Sequence, residues 1–77
     1  MIRLKNALLK SNYLITQEHK KLIRCEKEGW NISISKFGKQ YEVWVMKIYT
    51  KDAIRINELK VNTLVKVICY LENLGAL

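Results

Sequence analysis

Proline is absent from this 77-residue chain, and glycine occurs only at Gly29, Gly38 and Gly75. With no Pro/Gly/Ser-rich stretch there is no flexible linker and no low-complexity segment, so 1–77 reads as one domain with short connections. Cysteine occurs twice, at Cys25 and Cys69, and His19 is the one histidine. A zinc site needs four ligands at fixed spacing, and this inventory has no Cys-x-x-Cys to begin one, so no metal is expected. Both cysteines lie beside apolar residues and read as buried, reduced thiols rather than a disulfide framework. Aspartate occurs once, at Asp52, and the six glutamates are scattered among lysines. No nucleophile stands near a base and an orienting group, and no glycine-rich loop could cradle a phosphate. The chain is therefore expected to be neither an enzyme nor a cofactor binder. His19, in Gln17-Glu18-His19-Lys20, reads as a solvated side chain, and Glu26 and Glu28 around Lys27 as a charged turn. Long hydrophobic runs are missing too. No segment reaches the roughly 18 apolar residues of a membrane span. The basic start Met1-Ile2-Arg3-Leu4-Lys5-Asn6-Ala7-Leu8-Leu9-Lys10 has too short an apolar run for a signal peptide. A cytoplasmic protein (host cytoplasm if viral) with no membrane partner is expected.

What the chain has is positive charge. Fourteen Lys/Arg against seven acids give a net +7. The excess is uneven: nine Lys/Arg and three Glu precede residue 42, and five Lys/Arg and four acids follow from there. Such asymmetry favours a polyanionic partner, although lysine also serves solubility alone. Lysines outnumber arginines eleven to three. Lysine meets phosphate as a point charge, whereas arginine reads bases bidentately, so loose sequence preference follows if the partner is nucleic acid.

The most readable segment is Trp30 to Tyr49. Two β-favouring runs flank Gly38-Lys39, a hairpin signal. Turning there sets Phe37 opposite Gln40, Ile34 opposite Val43, Ser33 opposite Trp44 and Asn31 opposite Met46. Alternation then separates two faces. Ile32, Ile34, Val43 and Val45 form ordinary core. Asn31, Ser33, Ser35, Glu42, Trp44, Met46 and Ile48 form a mixed polar and apolar face suited to meeting a partner.

Around this hairpin the sequence predicts an α+β fold: a small antiparallel sheet of three to four strands (about 20–25, 30–37, 40–49 and 53–56) under a long C-terminal helix (about 58–74). Lys20 to Cys25 is read as a strand turning at Glu26-Lys27-Glu28-Gly29, in preference to a helix capped by Thr16, because a lone hairpin needs a further element. Tyr49-Thr50-Lys51-Asp52 is a connector. Asn57 is placed as the N-cap of the C-terminal helix and Gly75 as its stop. Leu4, Leu8 and Leu9 could line a short helix ending near Ser11-Asn12, and Tyr13-Leu14-Ile15 a strand or a connector; 1–19 is otherwise the least readable stretch. The C-terminal helix carries a wide apolar band, with a polar strip of Asn62, Lys66, Cys69 and Asn73. A single sheet face needs less. Either a twin helix of a second subunit meets Leu64, Val67, Ile68, Leu71 and Leu74, or 1–15 folds over the band. A chain this short buries only roughly 60% of its unfolded surface, which makes a homodimer a natural source of added stability.

The alternating strand ending Lys36-Phe37-Gly38-Lys39, the strand ending Lys47-Ile48-Tyr49, and Ala53-Ile54-Arg55-Ile56-Asn57 leading into a helix together resemble the transcriptional positive cofactor four family, small proteins that bind single-stranded DNA. The resemblance covers roughly 20–74. It implies a curved four-stranded antiparallel sheet, dimerisation through the C-terminal helices, and grooves where basic residues meet phosphates and aromatic rings stack on bases. Lys36, Lys39, Lys47 and Trp44 match that pattern; Trp30 falls on the aliphatic face. The chain departs from it in having Asp52-Ala53-Ile54 and a short loop where the family has a Lys-Gly-Ile run, in lacking most strand arginines, and in its first nineteen residues.

The expected nucleic-acid-binding residues are thus Lys20, Lys21, Arg24, Lys36, Lys39, Trp44 and Lys47. Trp44, Tyr41, Phe37 and Trp30 supply rings, each stack contributing roughly 1–3 kcal/mol, unless Trp44 is buried and Tyr41 and Phe37 merely pair across the hairpin. The expected function is a single-strand-selective nucleic-acid-binding module. The alternative is a small phage or mobile-element protein that binds and modulates a host protein.

Overall fold

The computed structural model describes residues 1–50 and 53–77, with backbone only for 49, 50 and 53–58. The elements run α1 (Ile2–Lys10), β1 (Leu14–His19), β2 (Leu22–Lys27), β3 (Trp30–Phe37), β4 (Gln40–Thr50), β5 (Ala53–Val61) and α2 (Leu64–Asn73). The strands form one antiparallel meander in chain order, so β3 is the central strand.

The β3–β4 hairpin has the predicted register, from Phe37 opposite Gln40 to Asn31 opposite Met46. Gly38 takes φ +58°, the left-handed value that the first position of a tight hairpin turn demands. One parity of the sheet is apolar and faces the helices. Ile23, Cys25, Ile32, Ile34, Val43 and Val45 are buried there, beneath Leu4 and Leu8 of α1 and Val67 and Leu71 of α2.

Both helices end in the same way. Asn12 (φ 68°) and Gly75 (φ 79°) adopt the left-handed conformation just past the last turn. At α1, Asn12 N donates to Leu9 O and Tyr13 N to Leu8 O, both at 3.1 Å. At α2, Gly75 N donates to Glu72 O at 3.0 Å and Ala76 N to Leu71 O at 2.9 Å. These bonds satisfy terminal carbonyls that would otherwise lack partners. They also turn Tyr13 and Ala76 toward each other, and Tyr13 Oη donates to Ala76 O at 2.7 Å across the buried core.

Three expectations need correction. The sheet has five strands, because Leu14–His19 pairs with β2. The strand expected at 20–25 is shifted to Leu22–Lys27, with Lys20-Lys21 forming the β1–β2 turn. The long helix at 58–74 is short. The chain stays extended to Val61, with Asn57 paired opposite Val45, and Thr63 caps α2 by accepting from Lys66 N at 3.2 Å. The cause is tertiary. Leu59 and Val61 alternate with polar neighbours and pair with Val43 and Tyr41 of the long β4, and that pairing overrides local helix preference. In the connector expected at 49–52, Lys51 and Asp52 lie outside the described residues.

Candidate nucleic-acid interface

The helices cover one face of the sheet and leave the other open. On the open face the central strand β3 carries Asn31, Ser33 and Ser35, while β2 carries Leu22, Arg24 and Glu26 and β4 carries Glu42, Trp44 and Met46. Short side chains on the middle strand between longer ones on its neighbours make a trough. Its walls stand about 10 Å apart, two strand spacings. Within it lies a depression of about 350 Å³ lined by Thr16, Arg24, Asn31, Ser33, Trp44 and Met46, among others.

Trp44 is 46% exposed at the wall of this depression. Its Nε1 donates to Glu42 Oε1 at 2.8 Å, two residues back on the same strand. The bond satisfies the indole N–H and fixes the ring's direction, so the ring faces stay available for contact. Arg24 stands in the same cross-strand row on the opposite wall, through Ser33. Toward the end of the sheet bearing the β1–β2 and β3–β4 turns, the trough opens into a second depression, of about 520 Å³. It is lined by Lys21, Leu22, Arg24, Ser35, Lys36, Phe37 and Gly38. The two depressions meet at Arg24.

Charge is polarised along the strands. Lys20, Lys21, Lys36 and Lys39 gather at this end, and exposed Lys60 of β5 lies opposite Glu42 near it. Lys36 N donates to Lys21 O at 2.8 Å, which ties the β1–β2 turn to the end of β3. Glu26 and Glu28 lie at the other end, beside the β2–β3 turn, and Glu42 is the acid on the open face at the basic end, opposite Ser35 and Lys60.

Of the predicted residues, Arg24 and Trp44 flank the trough, and Lys20, Lys21, Lys36 and Lys39 surround its basic end. Lys47 is not with them. It sits at the opposite end on the helix-facing parity, its Nζ 4.1 Å above the Trp30 ring. Lys36 also has helix-facing parity and holds its Nζ 5.6 Å from the Tyr41 ring, at the rim of the sheet. The four rings divide accordingly: Trp44 and Phe37 (65% exposed) lie on the open face, and Trp30 and Tyr41 are half-buried on the other. Sequence reasoning placed Ser33 and Ser35 on the partner-facing side of the hairpin without making them a floor, and missed the flanking Lys60. The short polar side chains at every second position of β3 were the available signal for the floor.

All five residues expected at a subunit interface pack against the chain's own core. Val67 and Leu71 are fully buried against the chain's own sheet, and Leu64, Ile68 and Leu74 pack on the same core. α1 lies beside α2 over the same sheet face, and Val65 of α2 remains exposed. The thiols also differ from expectation. Cys25 is buried, but Cys69 is exposed on the polar strip of α2. Burial pushes the Cys25 thiol up to about 12, against a smaller opposing effect of Lys27. Burial likewise raises Tyr13 well above the usual phenol value, and Cys25 beside it adds to the rise. His19 is exposed and hydrogen-bonded to Gln17 at 2.9 Å. Among the described residues no three His, Cys, Asp or Glu side chains group to hold a metal, and no helix is long and apolar enough to cross a membrane. Comparison with known families, curated proteins and solved structures returns no match to this chain.

Proposed function

We propose that the protein is a non-enzymatic nucleic-acid-binding module, acting in the cytoplasm, that takes a single strand along the open face of its sheet. The observation that carries this reading is Trp44, half-exposed at the trough wall with Arg24 across from it, a ring and a cation flanking a floor of serines. Single-strand binding needs flat rings for bases and positive charge along the backbone path, and both occur on this face. A trough about 10 Å across has room for one strand's bases but not for a duplex. Little base preference is expected, because the cations of the basic end are mostly lysines.

The test is fluorescence of Trp44 in a Trp30→Phe background, titrated with single- and double-stranded oligonucleotides at two salt concentrations. Quenching by single strands that weakens steeply with salt supports the reading. The exposed apolar side chains Leu14, Phe37 and Trp44 would equally suit a protein partner. No quenching at low salt, together with stable capture of one protein, would replace the nucleic-acid reading with that one.

A further inference from the structure

We propose that the basic end of the trough is a site for a terminal phosphate, so that the protein favours single strands carrying a phosphomonoester at one end. The inference rests on the single-strand reading above and goes further by naming the group that the second depression takes. Lys21 and Arg24 line that depression with Ser35, and Lys36 borders it from the helix-facing parity of β3; no acidic residue lines it, and Glu42 stands opposite Ser35 on the same face. Lys20 and Lys39 sit in the two turns beside it. The backbone bond from Lys36 N to Lys21 O, 2.8 Å long, ties the β1–β2 turn to the strand end that leads into the β3–β4 turn before any ligand arrives. The Lys36 ammonium lies on the helix-facing side, 5.6 Å from the Tyr41 ring, and stays outside the site.

Charge matching selects the ligand. An internal phosphodiester brings one negative charge, less than Lys21, Arg24 and the neighbouring turn lysines Lys20 and Lys39 can neutralise. A terminal phosphate approaches two charges at neutral pH and offers three strong acceptor oxygens. The site also lies where the trough reaches the end of the sheet, so a strand lying over Ser33 and Ser35 delivers its terminus there.

A short oligothymidylate is prepared with a 5′-phosphate, with a 3′-phosphate, and with hydroxyls at both ends. Binding is read from Trp44 fluorescence in the Trp30→Phe protein at one fixed salt concentration. One phosphorylated form is expected to bind about tenfold tighter than the dihydroxyl form, and which one does so gives the strand's direction. Inorganic phosphate should erode that advantage. The double variant Lys21→Ala/Lys39→Ala should abolish it, whereas Trp44→Ala, followed by the anisotropy of a dye-labelled oligonucleotide, should weaken all three forms alike. Equal binding of the three forms overturns the terminal-phosphate site and leaves the single-strand reading standing. An advantage that survives the double variant also overturns it, because the phosphate is then held elsewhere. Absence of binding by every form at low salt overturns both.

Discussion

Replacing Tyr13 with phenylalanine removes one oxygen and tests how the two ends of the chain are joined. Tyr13 is 3% exposed, and its hydroxyl donates to the carbonyl of Ala76, which is itself fully buried, at 2.7 Å. Phenylalanine keeps the ring volume and the contact with Lys27, whose Nζ lies 4.5 Å from the ring centroid. The loss is therefore the hydrogen bond alone, and a buried carbonyl is left without that donor. An acceptor orphaned in this way costs about 1–3 kcal/mol. In a domain of this size each kcal/mol moves Tm by about 4–8 °C, so a loss near 2 kcal/mol lowers Tm by about 8–16 °C. Urea unfolding should show a lower midpoint with an unchanged slope, since the surface exposed on unfolding is the same. A Tyr13→Phe protein with the parent's Tm would refute the claim that this bond closes the core between α1 and the end of α2. A changed slope would show instead that the substitution altered the native packing.

The thiols should behave as two classes: Cys69 reacting with a thiol reagent in the native protein and Cys25 only in denaturant, with Cys69→Ser abolishing the fast class. Two equally fast thiols would contradict the burial of Cys25. Stability should fall at high pH. The folded-state pKa of Cys25 is raised from 9.0 to about 12, so the unfolded state gives up its proton first. The Cys25 contribution is thus fully present below about pH 9 and is lost as pH rises toward 12, with Tyr13 adding to the slope in the same direction; urea midpoints from neutral to alkaline pH, compared with those of Cys25→Ala, measure it. Leu71→Ala, in the core beneath α2, should cost about 2–5 kcal/mol, whereas Trp44→Ala on the open face should cost under about 1 kcal/mol and leave the far-UV circular dichroism unchanged. A Trp44→Ala protein as unstable as Leu71→Ala would mean that the indole serves the fold.

Legibility in the sequence tracked how local each determinant is. The central hairpin was readable residue by residue, because Gly38 fixes the turn and the alternation of Ile32, Ile34, Val43 and Val45 fixes the face. Gly75 as helix stop and the leucine spacing of α1 are equally local. The start of α2 was not readable, since Val61, Leu64, Val65 and Ile68 satisfy a helical period, and only pairing with β4 decides that Leu59 and Val61 belong to a strand. β1 stays ambiguous between strand and connector for a related reason. Leu14–His19 has a register shift between Ile15 and Gln17, which breaks the alternation that would have announced a strand. In the candidate site, parity separated Trp44 from the core, but it could not show that the two lysine-bearing turns meet at one end of the sheet, nor that Lys47 lies at the other.

The outward parity of β3 is where the chain departs from what stability alone would choose. This strand is central, and its outward positions hold Asn31, Ser33 and Ser35, residue types that strands disfavour relative to threonine or valine. β-Branched side chains there would pack against Arg24 and Trp44, fill the trough and shield the indole. Instead the short residues leave the indole half-exposed and bring the open face close to the backbone. The inward parity of the same strand obeys every rule, with Ile32 and Ile34 at 2% and 0% exposure. Genome-wide composition bias would act on both parities alike, so it does not explain a difference confined to one face. A local departure from good strand chemistry, on one face, beside a held indole and a row of cations, is the pattern expected where surface is kept for a ligand.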